Sequence, residues 1–285
     1  MKTILVTGGN GQLALCIKKL TAVYPEISFI FAGHKELDIS DPEKVKRVFA
    51  KKNFDWCINC AAYTKVDLAE SEPEKAFLIN KEGSKNLANI CKENNTKLIH
   101  ISTDFVFDGA GKTPYLESSI TNPINIYGLS KLQGELEIEK ALKEYYIIRT
   151  SWLYSEYGKN FLRTMLRLSK NNKELKVVND QNGSPTYAGD LAEVILKIIE
   201  DDSENYGLYN YSNKGQTTWY GFAKEIFQLT GGNTQVKPID SEEYRTAAKR
   251  PQYSVLNCDK IEEAYKLEIP NWKTSLKKAI TKLYE

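Results

Sequence analysis

One segment constrains this chain more than any other. Gly8-Gly9-Asn10-Gly11 lies between an apolar run, Ile4–Thr7, and a stretch from Gln12 to Thr21 that reads as a helix. Glycines at such a place let the backbone turn sharply and come close to a bound group. The helix that follows opens with unpaired N–H groups and the positive end of its dipole. Read as Gly8-x-x-Gly11-x-x-Ala14, the segment is a dinucleotide-binding turn. A glycine pattern alone is weak, but strand, turn and helix in this order make it specific. Ala14 in the third position still permits close packing of helix on strand.

The next 140 residues supply what such a turn requires. Ile27–Ala32, Trp56–Cys60, Lys97–Ser102 and Tyr146–Thr150 are short apolar runs that predict buried strands. Between them lie helical stretches at about 73–93 and 123–142. A further helix starts at Asp41-Pro42-Glu43, with Asp as cap, Pro in the first turn and an acid at the positive dipole end. Strands alternating with helices predict a parallel sheet covered on both faces. Beyond residue 150 the pattern is less regular. Helices are expected near 160–169, 190–200, 219–230 and 272–284, with strand-like pieces at 176–178, 208–211 and 235–239. The expectation is an α/β fold, a Rossmann-type doubly wound parallel sheet over 1–150. A smaller mixed α/β substrate-binding lobe would cover 151–285, with a soft boundary and segments crossing between the two.

Charge and cysteine usage exclude several function classes. Lys plus Arg is 39 and Asp plus Glu 37, a net charge of +2. That balance lacks the basic excess of a nucleic-acid binder. No run reaches the 18 apolar residues of a membrane span, and the N-terminus has no secretory pattern. The five Cys are odd in number and scattered, as in a reducing compartment, so a cytoplasmic location is expected. Cys57-x-x-Cys60 lies inside a predicted strand with no second cluster, which favours buried thiols over a redox or zinc site.

Tyr127-Gly128-Leu129-Ser130-Lys131 sets a phenol and an ammonium four residues apart, on one face of a helix. A cation beside a phenol favours the phenolate, so the pair can move a proton near neutral pH. Such spacing is common by chance. It gains weight because the pair follows the fourth strand of a dinucleotide-binding pattern. That strand also ends in Ser102-Thr103-Asp104, a hydroxyl at the carboxyl edge, where these sheets bind ligands.

These features together resemble the extended short-chain dehydrogenase/reductase superfamily, and within it the dTDP-4-dehydrorhamnose reductase family. The resemblance rests on Gly8–Ala14, Leu37–Ile39, Asn59–Glu70, Ser102–Gly109, Tyr127–Lys131 and Arg149–Tyr154. It continues through Gly158–Phe161, Asn179–Thr186, Thr218-Trp219 and Lys249–Pro251. It implies NADPH-dependent reduction of the 4-keto group of a nucleotide sugar, dTDP-4-dehydro-L-rhamnose. Under it Tyr127 donates the proton, Lys131 tunes the phenol and holds the nicotinamide ribose, and Thr103 bonds near the keto oxygen. Gly8, Gly11, Gln12 and Leu13 would hold the cofactor, with Asp38 and Ile39 near the adenine and Ala61, Ala62 and Tyr63 lining the cleft. Val66, Asp67, Asp104 and Trp152 would border the sugar. Arg250 would meet the diphosphate, since a guanidinium matches phosphate geometry. Two rival readings are a reductase of another 4-keto sugar nucleotide and a non-catalytic regulatory subunit of the same fold.

Acidic positions that bridge subunits through a metal in some members of the family fall here on Cys16 and near Gly189. No metal is expected, and the chain is read as a monomer or weak homodimer. Cofactor choice turns on the end of the second strand. An acid there accepts from the adenosine ribose in NAD-preferring domains. This chain has Gly33-His34-Lys35, so His34 and Lys35 favour the 2′-phosphate of NADPH, with NADH possible because Glu36 follows. His100, in the fourth strand, reads as a packed core residue.

Overall fold

The computed structural model describes all 285 residues, Met1–Glu285. The first half runs β1 (Lys2–Thr7), α1 (Gln12–Leu20), β2 (Ile27–Ala32), α2 (Pro42–Phe49), β3 (Trp56–Asn59), α3 (Val66–Ala69) and α4 (Pro73–Phe77). A π turn at Leu78–Glu82 joins α4 to α5 (Gly83–Glu93). There follow β4 (Lys97–Thr103), a 3-10 turn at Asp104–Val106, α6 (Ile126–Ala141) and β5 (Tyr145–Thr150). The second half contains β6 (Leu153–Tyr154), α7 (Phe161–Ser169), β7 (Glu174–Val178), β8 (Asn182–Gly183), β9 (Thr186–Tyr187) and α8 (Ala188–Asp201). It ends with β10 (Gly207–Asn210), β11 (Thr217–Thr218), α9 (Trp219–Thr230), β12 (Gln235–Ile239), α10 (Asp259–Tyr265) and α11 (Trp272–Tyr284).

Six strands form one sheet in the order β10-β5-β4-β3-β1-β2, every neighbouring pair parallel. The strands are apolar on both sides because both faces are covered. On one face Leu13 and Ile17 of α1 pack with Leu191, Ile195 and Ile198 of α8 and Ile261 of α10. On the other, Val45 and Phe49 of α2, Leu87 and Cys91 of α5 and Ile138 of α6 close the second core. The sheet is the doubly wound one expected. Its sixth strand, β10, comes from beyond residue 150 and pairs with β5. A third core gathers Tyr154, Leu162, Phe222, Ala223, Trp272 and Leu276 among α7, α9 and α11.

Two helix starts behave as the sequence demands. Asp41 accepts from the Glu43 and Lys44 N–H groups at the head of α2, with Pro42 in the first turn. Asn125 accepts from the Gly128 N–H at the head of α6. The expected helix over 73–93 is interrupted by the π turn, where the side chain of Asn80 is drawn into the interior. No helix is long and apolar enough to cross a membrane.

The chain order reverses about β1, which has β2 on one side and β3 on the other. The carboxyl ends of β1 and β3 therefore flank the crevice in which sheets of this type take ligands. Gly8, Ala61, Thr103 and the head of α6 all lie at that end.

Candidate active site

Gly8 leaves β1 with φ +62, and a Cβ there would lie 2.7 Å from the Ala61 N and 2.8 Å from the Cys60 carbonyl carbon. Only glycine lets this backbone rest on the segment after β3. The Gly11 N–H donates to the Gly8 carbonyl at 2.7 Å and closes the turn. Gly11 caps α1 without any side-chain acceptor, as is also the case at α3, α4, α5, α8 and α10, whereas Asp41, Asn125, Asn160, Thr218 and Asn271 cap α2, α6, α7, α9 and α11. The N–H groups opening α1 are thus left for an external acceptor, which is what a dinucleotide pyrophosphate provides. The turn fits that group. Leu13 is buried in the core, so only its backbone is available there. The Gln12 side chain is engaged elsewhere. Its Nε2 donates to the Leu153 carbonyl at 3.2 Å, and its Oε1 accepts from Asn160 at 3.2 Å, joining the turn to the second half.

At the end of β2, His34 and Lys35 are exposed. Asp38 accepts from the Ser40 hydroxyl at 2.6 Å and its N–H at 3.1 Å. Burial opposes ionisation of Asp38, but these bonds prevail and hold its carboxyl below the usual range. Ile39 is buried. The Glu36 carboxylate folds back on Gly33, beside the Asn10 side chain, where a Gly33 Cβ would meet them at 2.8 and 2.5 Å.

Thr103 ends β4. Its hydroxyl donates to Asp104 Oδ1 at 3.1 Å and accepts from the Phe105 N–H at 3.2 Å. The next turn carries α6 against this loop. A Cβ on Gly128 would stand 2.1 Å from the Phe105 carbonyl oxygen, so the glycine between Tyr127 and Lys131 sets how closely the helix docks. Tyr127 meets Phe105 edge-on at 5.7 Å. Burial pushes the Tyr127 phenol up to about 12, with the Thr103 hydrogen bond pulling the other way. Burial likewise pushes Asp104 up to about 7, and its Oδ2 is buried with no partner.

Lys131 departs from the simple picture of a cation set beside the phenol. It is fully buried, and its Nζ donates to the Ile101 carbonyl at 2.7 Å and lies 3.1 Å from His100 Nε2. Burial brings the ammonium down to about 8, with Glu135 opposing. The residue sits on the face of α6 that the i, i+4 spacing predicts, but its polar end is drawn to β4. His100 is buried as expected, yet it is no inert filler. Its Nδ1 lies 2.9 Å from Asn59 Nδ2. The sequence places His100 in the core and Asn59 at the head of the Asn59–Glu70 segment, but not their contact with each other or with Lys131. The signal available was a polar side chain near the carboxyl end of an otherwise apolar strand.

Ala61 donates its N–H to Asn59 Oδ1 at 3.2 Å, and Ala62 follows it along the crevice. Asn80 fixes the next residue. It accepts from the Tyr63 N–H at 2.8 Å and donates to the Tyr63 carbonyl at 3.1 Å and to the Ser130 hydroxyl at 2.9 Å. The Tyr63 phenol donates outward to Glu72 at 3.0 Å. Val66 and Asp67 open α3. Asp67 and Arg250 meet in a two-pronged ion pair, with Nη1 to Oδ1 3.0 Å and Nη2 to Oδ2 2.8 Å. That hydrogen bond is the main reason the Asp67 carboxyl lies below its usual range. Two of the predicted substrate residues are thus brought together, but the Arg250 fork is held by a carboxylate. Trp152 has φ +48 and stacks on Trp219 with ring centres 3.6 Å apart.

A doubly wound sheet with an uncapped glycine turn, and a Thr, Tyr and Lys at its carboxyl edge, defines an NAD(P)-dependent oxidoreductase of the extended short-chain class. The comparisons with known proteins narrow this. The model of the RmlD substrate binding domain matches residues 1–285, and the chain belongs to that family. It is 39% identical over 286 residues to a dTDP-4-dehydrorhamnose reductase of Sinorhizobium fredii, covering 97% of this chain and 96% of that one. It also superposes on the crystal structure of a dTDP-4-dehydrorhamnose reductase from Clostridium acetobutylicum, with TM-score 0.95, 42% identity and 99% and 100% of the two chains covered. A Bacillus anthracis enzyme of the same name, solved in complex with NADP, gives TM-score 0.95, 40% identity and 99% and 100% coverage.

Proposed function

We propose that this protein uses NADPH to reduce the 4-keto group of dTDP-4-dehydro-L-rhamnose, giving dTDP-L-rhamnose. The observation that carries the reading is the docking of α6 through Gly128, which sets Tyr127 beside the loop that begins at Thr103. The dihydronicotinamide, when bound, supplies the hydride. The backbone N–H groups of Gln12 and Leu13 would hold its pyrophosphate, with the Gly11 N–H closing the turn onto Gly8, and Lys131 would hold its ribose. Tyr127 stays protonated well above neutral pH and is the acid that protonates the carbonyl oxygen as charge develops there. The Thr103 hydroxyl, turned from Asp104 Oδ1, donates to the same oxygen and orients it. Trp152 borders the sugar ring, Val66 the same side, and Asp104 lies below Thr103. Arg250 reaches a diphosphate only by sharing or leaving Asp67.

In this reading residues 1–150 hold the dinucleotide and 151–285 the sugar nucleotide, and the enzyme is a cytoplasmic monomer or weak homodimer. One relative favours a second reading. A Streptomyces niveus protein 36% identical over 277 residues is a dTDP-4-keto-6-deoxy-D-glucose reductase. The test is the loss of NADPH absorbance on adding dTDP-4-dehydro-L-rhamnose, alongside other 4-keto sugar nucleotides. Turnover on the rhamnose precursor at least tenfold above the others supports the first reading. Preference for another sugar supports the second, and no oxidation with any of them refutes both.

A further inference from the structure

Thr7, Asn59 and His100 occupy one register row across the adjacent strands β1, β3 and β4. All three are fully buried, as is Lys131 at the end of the row. Counting hydrogens along the row gives it a direction. The Ala61 N–H can only donate, and it lies 3.2 Å from Asn59 Oδ1. The Thr7 hydroxyl donates to the same oxygen at 2.6 Å. The Ala61 N–H is shared with Thr7 Oγ1 at 3.3 Å, which leaves the Thr7 hydrogen for Asn59. With the amide turned over, its NH2 would face that N–H, so the oxygen points towards β1 and the NH2 faces His100 Nδ1 at 2.9 Å. An amide nitrogen has no lone pair to offer, so Nδ1 must accept. The single hydrogen of the neutral imidazole then sits on Nε2, 3.1 Å from Lys131 Nζ. An ammonium there would set N–H against N–H. A neutral amine accepts from Nε2–H and still donates to the Ile101 carbonyl.

We propose that His100 is a positioning residue: Asn59 holds it as the Nε2–H tautomer, and in that form it seats Lys131 as a neutral amine that must leave the row when it takes up a proton. This rests on the Tyr127 and Lys131 roles proposed above. The protonated lysine loses its His100 partner and is free to turn towards the phenol and the cofactor ribose. Proton uptake and position are coupled in one side chain.

The surroundings agree. Burial alone drives the imidazolium form of His100 down, and an ammonium on Lys131 would drive it further, so the ring stays neutral in either state of the lysine. On α6, Glu135 favours the ammonium, but Arg149 of β5 holds its carboxylate. Tyr127 on the same helix, and Cys60 after β3 with its thiol pushed up by burial, are uncharged at neutral pH. Asp104, after β4, is pushed up to about 7. β1 contributes only the Thr7 hydroxyl and the π turn only the Asn80 amide.

The chain has two histidines, and His34 is exposed, so histidine labelled with 15N gives two separable rings. Nitrogen-detected NMR of the full-length protein, with and without NADP, reads the tautomer directly. The expected result is an unprotonated Nδ1 and a protonated Nε2 on His100 from pH 6 to 9. Asn59→Asp still accepts from Ala61 and Thr7 but has no hydrogen for Nδ1. It should turn the ring to Nδ1–H and move the basic limb of kcat/KM upward by about one pH unit, a tenfold gain in Lys131 proton affinity. An Nδ1–H tautomer or an imidazolium in the wild type overturns the proposal. So does a turned tautomer in Asn59→Asp that leaves the basic limb in place. The wild-type spectrum decides the tautomer even if the variant does not fold. It does so even if no 4-keto sugar is reduced, which would sink the functional reading alone.

Discussion

Glu135→Gln is the sharpest probe of the interior beneath the site. Glu135 of α6 and Arg149 of β5 have side chains 2% and 4% exposed, and they meet beside Ser102 of β4, the register partner of Arg149. Arg149 Nε lies 3.0 Å from Oε1 and Nη2 lies 2.6 Å from Oε2, while the Ser102 hydroxyl donates to Oε1. Gln keeps the size but turns one acceptor into an NH2 that faces guanidinium donors. The positive charge of Arg149 is then buried without compensation. Removing one partner of a buried ion pair costs about 3–5 kcal/mol, and the remaining amide oxygen argues for the low end, about 3. At roughly 2 °C per kcal/mol for a chain of this length, Tm should fall by about 6 °C. Scanning calorimetry at pH 7 and a fixed heating rate measures it. The same change removes the one charge that favours the Lys131 ammonium, so the basic limb of activity should move to lower pH. A Tm within 2 °C of wild type would refute the claim that this pair is a compensated buried charge.

Other expectations follow from the same geometry. Tyr127→Phe should lower kcat by roughly 10²–10⁴-fold with little change in NADPH affinity, and a variant keeping a tenth of the rate would remove Tyr127 from the acid role. Lys131→Ala should raise the KM for NADPH as well as lower kcat, and a KM within twofold of wild type would count against a ribose contact. Because Lys131 lies at about 8 and its protonated form is the active one, kcat/KM should be level at pH 6–7 and fall as pH rises through about 8. A flat profile to pH 9.5 would contradict that. Lys35→Glu should shift the NADPH to NADH ratio of kcat/KM towards NADH by about ten- to a hundredfold, the value of a hydrogen bond to a charged group. An unmoved ratio would mean that residue 35 stands clear of the 2′-phosphate.

The strands β2 to β5 were legible within a residue, and β1 within two, because burial on both faces makes each a short apolar run. Asp41-Pro42 announced α2 by the chemistry of a helix start. The glycine turn and the Thr103, Tyr127 and Lys131 spacing were legible because local motifs fix local geometry. What periodicity could not give is the partner of a side chain. It put Lys131 on a face of α6 but not on His100, and it could not show that the Asp67 carboxylate would take up the Arg250 fork 183 residues away. Asn80 falls inside a continuous helical pattern, because nothing local reveals an amide that bonds the Tyr63 backbone. The two-residue strands and α10 left no periodic trace, since they are held by tertiary contacts rather than by pattern.

The origin of β10 has a consequence for biosynthesis. Until residues 207–210 join it, β5 is the open edge of a five-stranded sheet, with Tyr146 and Ile148 next to unpaired backbone groups. At roughly 5–20 residues per second of translation, the 57 residues from Thr150 to Gly207 leave that edge unpaired for about 3–11 s after β5 has been made. An uncovered parallel edge of apolar residues is a template for pairing with another chain. Nascent chains on one messenger are therefore most exposed to mutual aggregation during this interval. A fragment ended at residue 150 keeps the hazard permanently, so the dinucleotide half should be handled with β10 supplied rather than cut free.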